Sequence, residues 1–181
     1  MAKVIIADAD DVRIKFEATV QRVGSGLAKT VFSRAMNTEG RKSYVAVKRA
    51  VAKQTSIKVG DVARSMSFKG ARPNALETRV IGKGRHFPLS YFGAKQFSFG
   101  VRAKVWGEFH KYPHAFVVKA YGGNVYKRLS AKRFPIKQLW GPAIPVEMVK
   151  DETLASWQRG VPDVSKEAMR LLGLMISGKV K

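Results

Sequence analysis

Phe97-Ser98-Phe99-Gly100-Val101-Arg102-Ala103-Lys104-Val105-Trp106 is the stretch on which the fold turns. Val101, Ala103 and Val105 alternate with Arg102 and Lys104. A period of two puts the apolar set on one face of a strand and the two cations on the other. Such a strand belongs to a sheet with one buried face and one wet, cationic face. Further candidates lie on either side. Leu76, Thr78 and Val80 alternate with Glu77 and Arg79 before a Gly82-Lys83-Gly84 turn, and other runs span Phe87 to Phe92, Ala115 to Lys119 and Asn124 to Leu129. Gly93, Gly107, Pro113 and Gly122-Gly123 part them. Connections this short make the sheet mostly antiparallel.

Helical spacing surrounds the sheet. From about Glu17 to Ser56, Leu27, Val31 and Ala35 lie four apart, and Tyr44, Val47 and Val51 lie three and four apart. This predicts two helices, or one helix broken near Asn37 to Gly40, after a start punctuated by Gly24 and Gly26. Val59 to Met66 predicts a small helix with Gly60-Asp61 as its N-cap. Pro135, Gly141, Pro142 and Pro145 mark an irregular stretch that holds Ile136, Leu139, Trp140 and Ile144. Helix is expected again from about Val146 to Arg159 and from Val164 to Ile176, where Met169, Leu172 and Ile176 recur, with Gly178 as a stop. Residues 1–15 hold Val4-Ile5-Ile6 and then acids, a strand or an arm. The sum is one α+β domain over 1–181. A basic helical segment at 17–66 precedes a central, mostly antiparallel sheet at 74–129, a Pro/Gly-rich segment at 134–145 and C-terminal helices at 146–177.

Charge bounds the partners. The chain has 34 Lys and Arg against 13 Asp and Glu, a formal net charge of +21 in 181 residues. Self-repulsion on that scale favours a negative neighbour, whether nucleic acid, an acidic protein ring or an anionic surface. The acids crowd toward the ends: none occurs from Phe109 to Val146, while Lys111, Lys119, Lys127, Arg128, Lys132, Arg133 and Lys137 all lie there. Apolar residues make up 45% of the chain, enough for a proper core, so a disordered basic tail is excluded as the whole molecule. The chain has no cysteine, which excludes a disulfide scaffold, a thiolate nucleophile and Cys-ligated metal. No apolar run approaches the 18 or so residues of a membrane span. The N-terminal MAKVIIADADD turns acidic where a signal peptide would carry its apolar core.

Catalytic, metal and cofactor constellations are weak. His110 and His114 are four apart, but Pro113 between them and the strand-like surroundings oppose a helical metal pair. Val23-Gly24-Ser25-Gly26-Leu27 is the nearest approach to a nucleophile elbow and lacks the second spacer. Gly82-Lys83-Gly84-Arg85 lacks the Walker spacing and its hydroxyl, and reads as a hairpin connection. No catalytic, cofactor or metal residue is therefore assigned, and a small hydrolase is the least supported class. The helical bases Arg34, Arg41, Lys42, Lys48, Arg49, Lys53 and Lys58 read first as a solvated face and second as a nucleic-acid surface. Tyr91, Phe92, Phe97, Phe99, Trp106, Phe109 and Tyr112 have the composition of a single-strand stacking platform. A small sheet also needs such residues to fill its buried face, so most are expected in the core.

Three stretches, in order, carry a resemblance. The first is the basic helical segment from Arg34-Ala35-Met36-Asn37 to Lys48-Arg49-Ala50-Val51-Ala52-Lys53-Gln54-Thr55. The second is Phe87-Pro88-Leu89-Ser90-Tyr91-Phe92-Gly93-Ala94-Lys95, then Gly100-Val101, Ala115-Phe116 and Gly123-Asn124-Val125-Tyr126-Lys127-Arg128. The third is Phe134-Pro135-Ile136-Lys137-Gln138-Leu139-Trp140-Gly141-Pro142-Ala143-Ile144-Pro145. Over roughly residues 25–176 the chain resembles the phage minor tail protein Z family, the tail-completion proteins of lambda-like phages and prophages. None of the three stretches is a catalytic motif.

The resemblance implies a non-enzymatic virion component, assembled in the host cytoplasm, at the head-proximal end of the tail and needed for productive head–tail joining. Its implied partners are the tail terminator, tail tube and head–tail connector proteins, with the DNA end as a further candidate and no membrane. Because a phage tail tube is ordinarily sixfold, a homohexameric ring is the candidate assembly. Interface or DNA contact is assigned to Lys127, Arg128, Lys132, Arg133 and Lys137, which crowd together without a carboxylate, and to Trp140. Ile136, Leu139, Trp140 and Ile144 have two readings, core beneath the sheet, which is favoured, and docking surface. The alternative function is a free basic nucleic-acid-binding protein.

Overall fold

The computed structural model describes residues 17–18, 20–21 and 24–177. The expected arm in 1–15 and the stop at Gly178 lie outside the described residues. Helices and antiparallel sheets together make an α+β fold. Its longest element, α1 (Ser25–Thr55), extends about 46 Å at 1.5 Å per residue. The break expected near Asn37 to Gly40 does not occur, because both residues serve as docking points. The Asn37 side chain accepts a hydrogen bond from the Ala71 N–H at 2.8 Å and donates one to the Ala71 carbonyl at 2.9 Å. Gly40 is buried, and a Cβ there would come within 3.0 Å of the Phe68 ring. What reads as a helix breaker is where the next segment lies against the helix.

α1 ends at Ser56, which takes a left-handed φ of 63°, and α2 (Val59–Ser65) follows. Lys58, rather than Gly60-Asp61, is its N-cap residue. Asp61 lies in the first turn, where the helix dipole favours negative charge. It accepts hydrogen bonds from the Tyr91 hydroxyl and the Arg64 guanidinium.

The strands are β1 (Met66–Lys69), β2 (Arg79–Gly82), β3 (Lys95–Phe97), β4 (Gly100–Val105), β5 (Glu108–Pro113), β6 (Ala115–Val118), β7 (Asn124–Arg128) and β8 (Ile136–Gln138). They form three small antiparallel sheets, β1-β2, β3-β4-β5 and β6-β7-β8, where one central sheet was expected. The division has a local cause. His114, between β5 and β6, takes a φ of 59° and turns the chain out of the second ladder. β1 and β8 also lie outside the 74–129 span expected for the sheet. Phe87 to Phe92 is not a strand: Leu89–Phe92 is a 3₁₀ turn whose buried residues, Leu89 and Phe92, are three apart as that helix requires.

After β8 come α3 (Ile144–Glu147), α4 (Asp151–Gln158) and α5 (Val161–Ile176), so the first expected C-terminal helix divides in two. α5 buries Ser165, Ala168 and Leu172 and leaves Met169 and Ile176 exposed, a different stripe from the one expected. Ala168 and Leu172 pack with Val31, Phe32 and Ala35 of α1 in a core of their own. The C-terminal half of α1 contributes Val47 and Val51 to the main core. That core also takes Met66 and Val80 from the first sheet, Val101, Ala103 and Val105 from the second, and Ala115 and Val125 from the third. Three sheets too small to stand alone thus share one interior. Along β4 the burial alternates as its sequence predicts, with Arg102 and Lys104 outside.

Two predictions follow from this packing. Gly100 opens β4 at a φ of +139°, and a Cβ there would collide with the Tyr112 carbonyl and lie 3.2 Å from the Pro113 Cα. Gly123 also has a positive φ, +73°, but its Cβ would meet nothing within 4 Å. Gly123→Ala should cost about 1 kcal/mol of left-handed strain, and Gly100→Ala about 3 kcal/mol or more. Equal shifts of the two urea midpoints would refute the close packing of β4 on β5. The second prediction concerns pH. Hydrogen bonds from Tyr91 and then Arg64 hold the Asp61 carboxyl below its ordinary value. A carboxylate whose folded pKa is depressed stabilises the fold above its unfolded pKa, and the contribution is lost as pH falls through the folded pKa. Between about pH 5 and pH 2, the urea midpoint of the parent chain should therefore fall more than that of Asp61→Asn. Parallel acid profiles would show that the Asp61 bonds contribute nothing.

Candidate polyanion-binding surfaces

Several acids are answered within their own segment. Glu39 pairs with Lys42 at 2.7 Å, Glu147 with Lys150 at 3.1 Å and Glu167 with Arg170 at 2.7 Å, while Asp61 pairs with Arg64 and Glu77 with Arg79. Each partner is two or three residues away. The third sheet lies wholly within the acid-free span 109–146, and the strands of the second hold one acid, Glu108. α1 carries seven bases, Lys29, Arg34, Arg41, Lys42, Lys48, Arg49 and Lys53, against Glu39 alone, so the positive charge of the molecule is shared between that helix and the sheets.

Five of the six residues assigned from sequence gather at the β7–β8 hairpin. Lys127 and Lys137 are directly opposed in the ladder and share a face. Both are exposed, and like charges so placed repel. Arg128 points to the other face, 5.1 Å from the Phe116 ring, and its Nη1 donates to the Arg133 carbonyl at 2.5 Å. Leu129 donates its N–H to the Pro135 carbonyl at 3.2 Å, closing the loop 129–135 that carries Lys132, Arg133 and the cis Phe134–Pro135 peptide. The guanidinium of Arg133 lies 5.7 Å from the Phe134 ring. Lys132 and Arg133 are both exposed. A polyanion would meet five cations around one hairpin.

Trp140 is placed elsewhere, at the far end of β8, where it bridges Pro88. The Gly141 N–H donates to the Phe87 carbonyl at 2.7 Å, and the Phe87 N–H to the Pro142 carbonyl at 3.0 Å. Trp140 is 49% exposed and, with Arg85 and His86, lines a depression of about 290 Å³. The two readings of the Pro/Gly-rich segment therefore divide. Ile144 is core, Ile136 and Leu139 are half-buried, and Trp140 stands at the surface.

A second cationic surface lies on the outer face of β3-β4-β5. Register places Lys95, Arg102 and Lys111 in one row across the three strands. Lys104 and Phe109 make the next row on one side, and Phe97, Gly100 and Pro113 the row on the other. The Arg102 guanidinium stands 4.8 Å from the Phe97 ring and 4.9 Å from the Phe109 ring, within cation–π range of both. Lys111 reaches the Phe99 ring at 5.6 Å, and Phe97 and Phe99 stack with centroids 5.4 Å apart. The one carboxylate of this sheet, Glu108, pairs with Val105 in the ladder and so points to the opposite face. Sequence pattern found Arg102 and Lys104. It missed the contributions of β3 and β5, which only the strand register reveals.

Most of the seven aromatics singled out from sequence were expected in the core, but Phe92 alone of them is buried. Tyr91, Phe97 and Tyr112 are half-buried, whereas Phe99, Trp106 and Phe109 are exposed. Burial pushes the Tyr112 phenol up. His110 lies in β5 with its ring 5.6 Å from that of Trp106, and His114 occupies the turn that follows. Among the described residues no three His, Asp or Glu side chains gather to hold a metal ion, and no helix is long and apolar enough to cross a membrane.

Gln96 ties the two surfaces together. Its Nε2 donates to the Gly100 carbonyl at 3.0 Å, and its Oε1 accepts from the Val117 N–H of β6 at 2.9 Å. No protein-family model matches the chain, and no curated protein or solved structure matches it either. What the geometry offers is two cationic sheet surfaces joined through one amide. Gln96→Ala should speed hydrogen exchange at the Val117 amide by about 2- to 10-fold, the worth of one ordinary hydrogen bond. Unchanged exchange there would mean the two sheets are held in place by the core alone.

Proposed function

We propose that this chain is a structural, non-enzymatic tail-completion (minor tail) protein of a long-tailed phage. It sits at the head-proximal end of the tail and is needed for productive head–tail joining. The observation that carries the reading is the uncompensated hairpin: Lys127, Lys132, Arg133 and Lys137 project around β7–β8 in a span without acids. A surface of that kind suits docking on an acidic rim. The family resemblance supplies the context. The partners are the tail terminator, tail tube and head–tail connector proteins, with the DNA end as a further contact. The chain assembles in the host cytoplasm as a ring of six and ends in the virion. One observation favours the alternative, a free nucleic-acid-binding protein: Arg102 stands between two phenylalanine rings on an open sheet face.

The joining reaction itself tests the proposal. Tails carrying Lys127→Glu, Arg128→Glu, Lys132→Glu and Arg133→Glu, mixed with filled heads, should yield about tenfold fewer infectious particles or worse, since opposed charge at a docking surface costs several kcal/mol. Arg128 also closes the hairpin loop, so Lys127→Glu with Lys132→Glu and Lys137→Glu, which spares that hydrogen bond, should show the same loss. Normal joining by both folded variants would overturn the docking role. A free DNA-binding protein would instead bind duplex DNA at micromolar or tighter affinity, with a log–log salt slope of about −0.9 per phosphate contact.

A further inference from the structure

We infer that the outer face of β3-β4-β5 is a binding site for single-stranded nucleic acid, about three nucleotides long, separate from the β7–β8 hairpin. The inference does not depend on the tail-completion reading. Three features of the face lead to it. Lys95, Arg102 and Lys111 form a row across the strands, spaced by about 4.8 Å, with Lys104 beside them and no carboxylate among the strand residues of that face. Aromatic rings are interleaved with these cations: Phe97 and Phe109 flank Arg102, and Phe109 is 65% exposed. Gly100, without a side chain, stands between Phe97 and Pro113 in the adjoining row.

Charge and rings together select the ligand. An acidic protein would satisfy the lysines and leave the phenylalanines uncovered. Duplex DNA offers phosphates but keeps its base faces stacked inside. A single strand presents phosphates and unstacked bases together, the pair of groups that a cationic aromatic sheet face recognises. A base lying on Phe109 would extend the stack that already contains Arg102, since aromatic and guanidinium planes both accept bases. The neighbouring phosphates then fall to Lys95, Lys104 and Lys111. Stacking and phosphate contacts are common to every base, so binding that rests on them should be tolerant of sequence.

Fluorescence anisotropy of the full chain with a labelled twelve-residue oligothymidylate tests this. With four cations engaged, the log–log salt slope should be near −3, at about −0.7 per phosphate on a single strand. Phe109→Ala should weaken binding about tenfold or more with the slope unchanged. Phe109→Tyr should bind like the parent, and Lys104→Gln should shallow the slope by about 0.7. Phe109 is largely exposed, so its loss should leave the fold intact, which circular dichroism checks. The hairpin variant Lys127→Glu/Lys132→Glu should retain the Phe109 dependence. Binding insensitive to Phe109→Ala, or equal competition by polyglutamate and by duplex of the same length, would overturn the site and leave a general polyanion surface. Neither result bears on head–tail joining, so the two proposals fail separately.

Discussion

One-sided burial of β4 is the constraint on which the rest of the molecule depends. Val101, Ala103 and Val105 are fully buried in the core that receives Val47 and Val51 from α1. A strand committed in this way has no freedom of register, because a slip of one residue would bring Arg102 and Lys104 inside. Burying an unpaired guanidinium or ammonium costs far more than the three small side chains return. The register of β4 then dictates those of β3 and β5, and through them the composition of the outer face. Core and candidate site are two sides of one pattern.

That pattern was legible because it is local. Alternation over five residues identifies β4 without knowledge of any partner. The division into three sheets was not, since the second and third part at one backbone conformation, that of His114, and the strands are only three to six residues long. β8 was hidden for a related reason: its three residues, Ile136–Gln138, are too few to show a period. In α1 the misreading ran the other way. Asn37 and Gly40 have poor helix propensity, but Asn37 bonds Ala71 and Gly40 makes room for Phe68, so tertiary contact outweighs local preference. The exposed Met169 and Ile176 show the same limit. α5 meets α1 along small residues, Ala168 and Ser165 among them, and apolar size alone did not mark that seam.

The two cationic surfaces differ in legibility in the same way. Lys127, Arg128, Lys132, Arg133 and Lys137 lie within eleven residues, so a hairpin brings together what the chain already holds together. Lys95, Arg102 and Lys111 are spread over seventeen residues, and they become neighbours only when two successive hairpins set the register. The Trp106-Gly107 turn, both residues with positive φ, is the geometry that suits a two-residue hairpin. A tryptophan at such a position is not a signal that residue preferences would have offered.

The manner in which the molecule tolerates +21 follows from these placements. Glu39, Asp61, Glu147 and Glu167 pair with bases three residues away, and the strands of the second and third sheets hold one acid, Glu108, so carboxylates do little to hold those sheets' cations in place. Aromatic rings take over part of that role. Arg102 lies near two rings, while Arg128 and Lys111 each lie near one. A cation–π contact at an exposed site contributes about 0.5–1 kcal/mol, comparable to a surface salt bridge. It leaves the positive charge undiminished, however, whereas a carboxylate would cancel it. A sheet built in this way stays folded with its field intact. The cations are ordered in advance of any partner, so binding has less side-chain entropy to overcome than it would on a surface of free lysines.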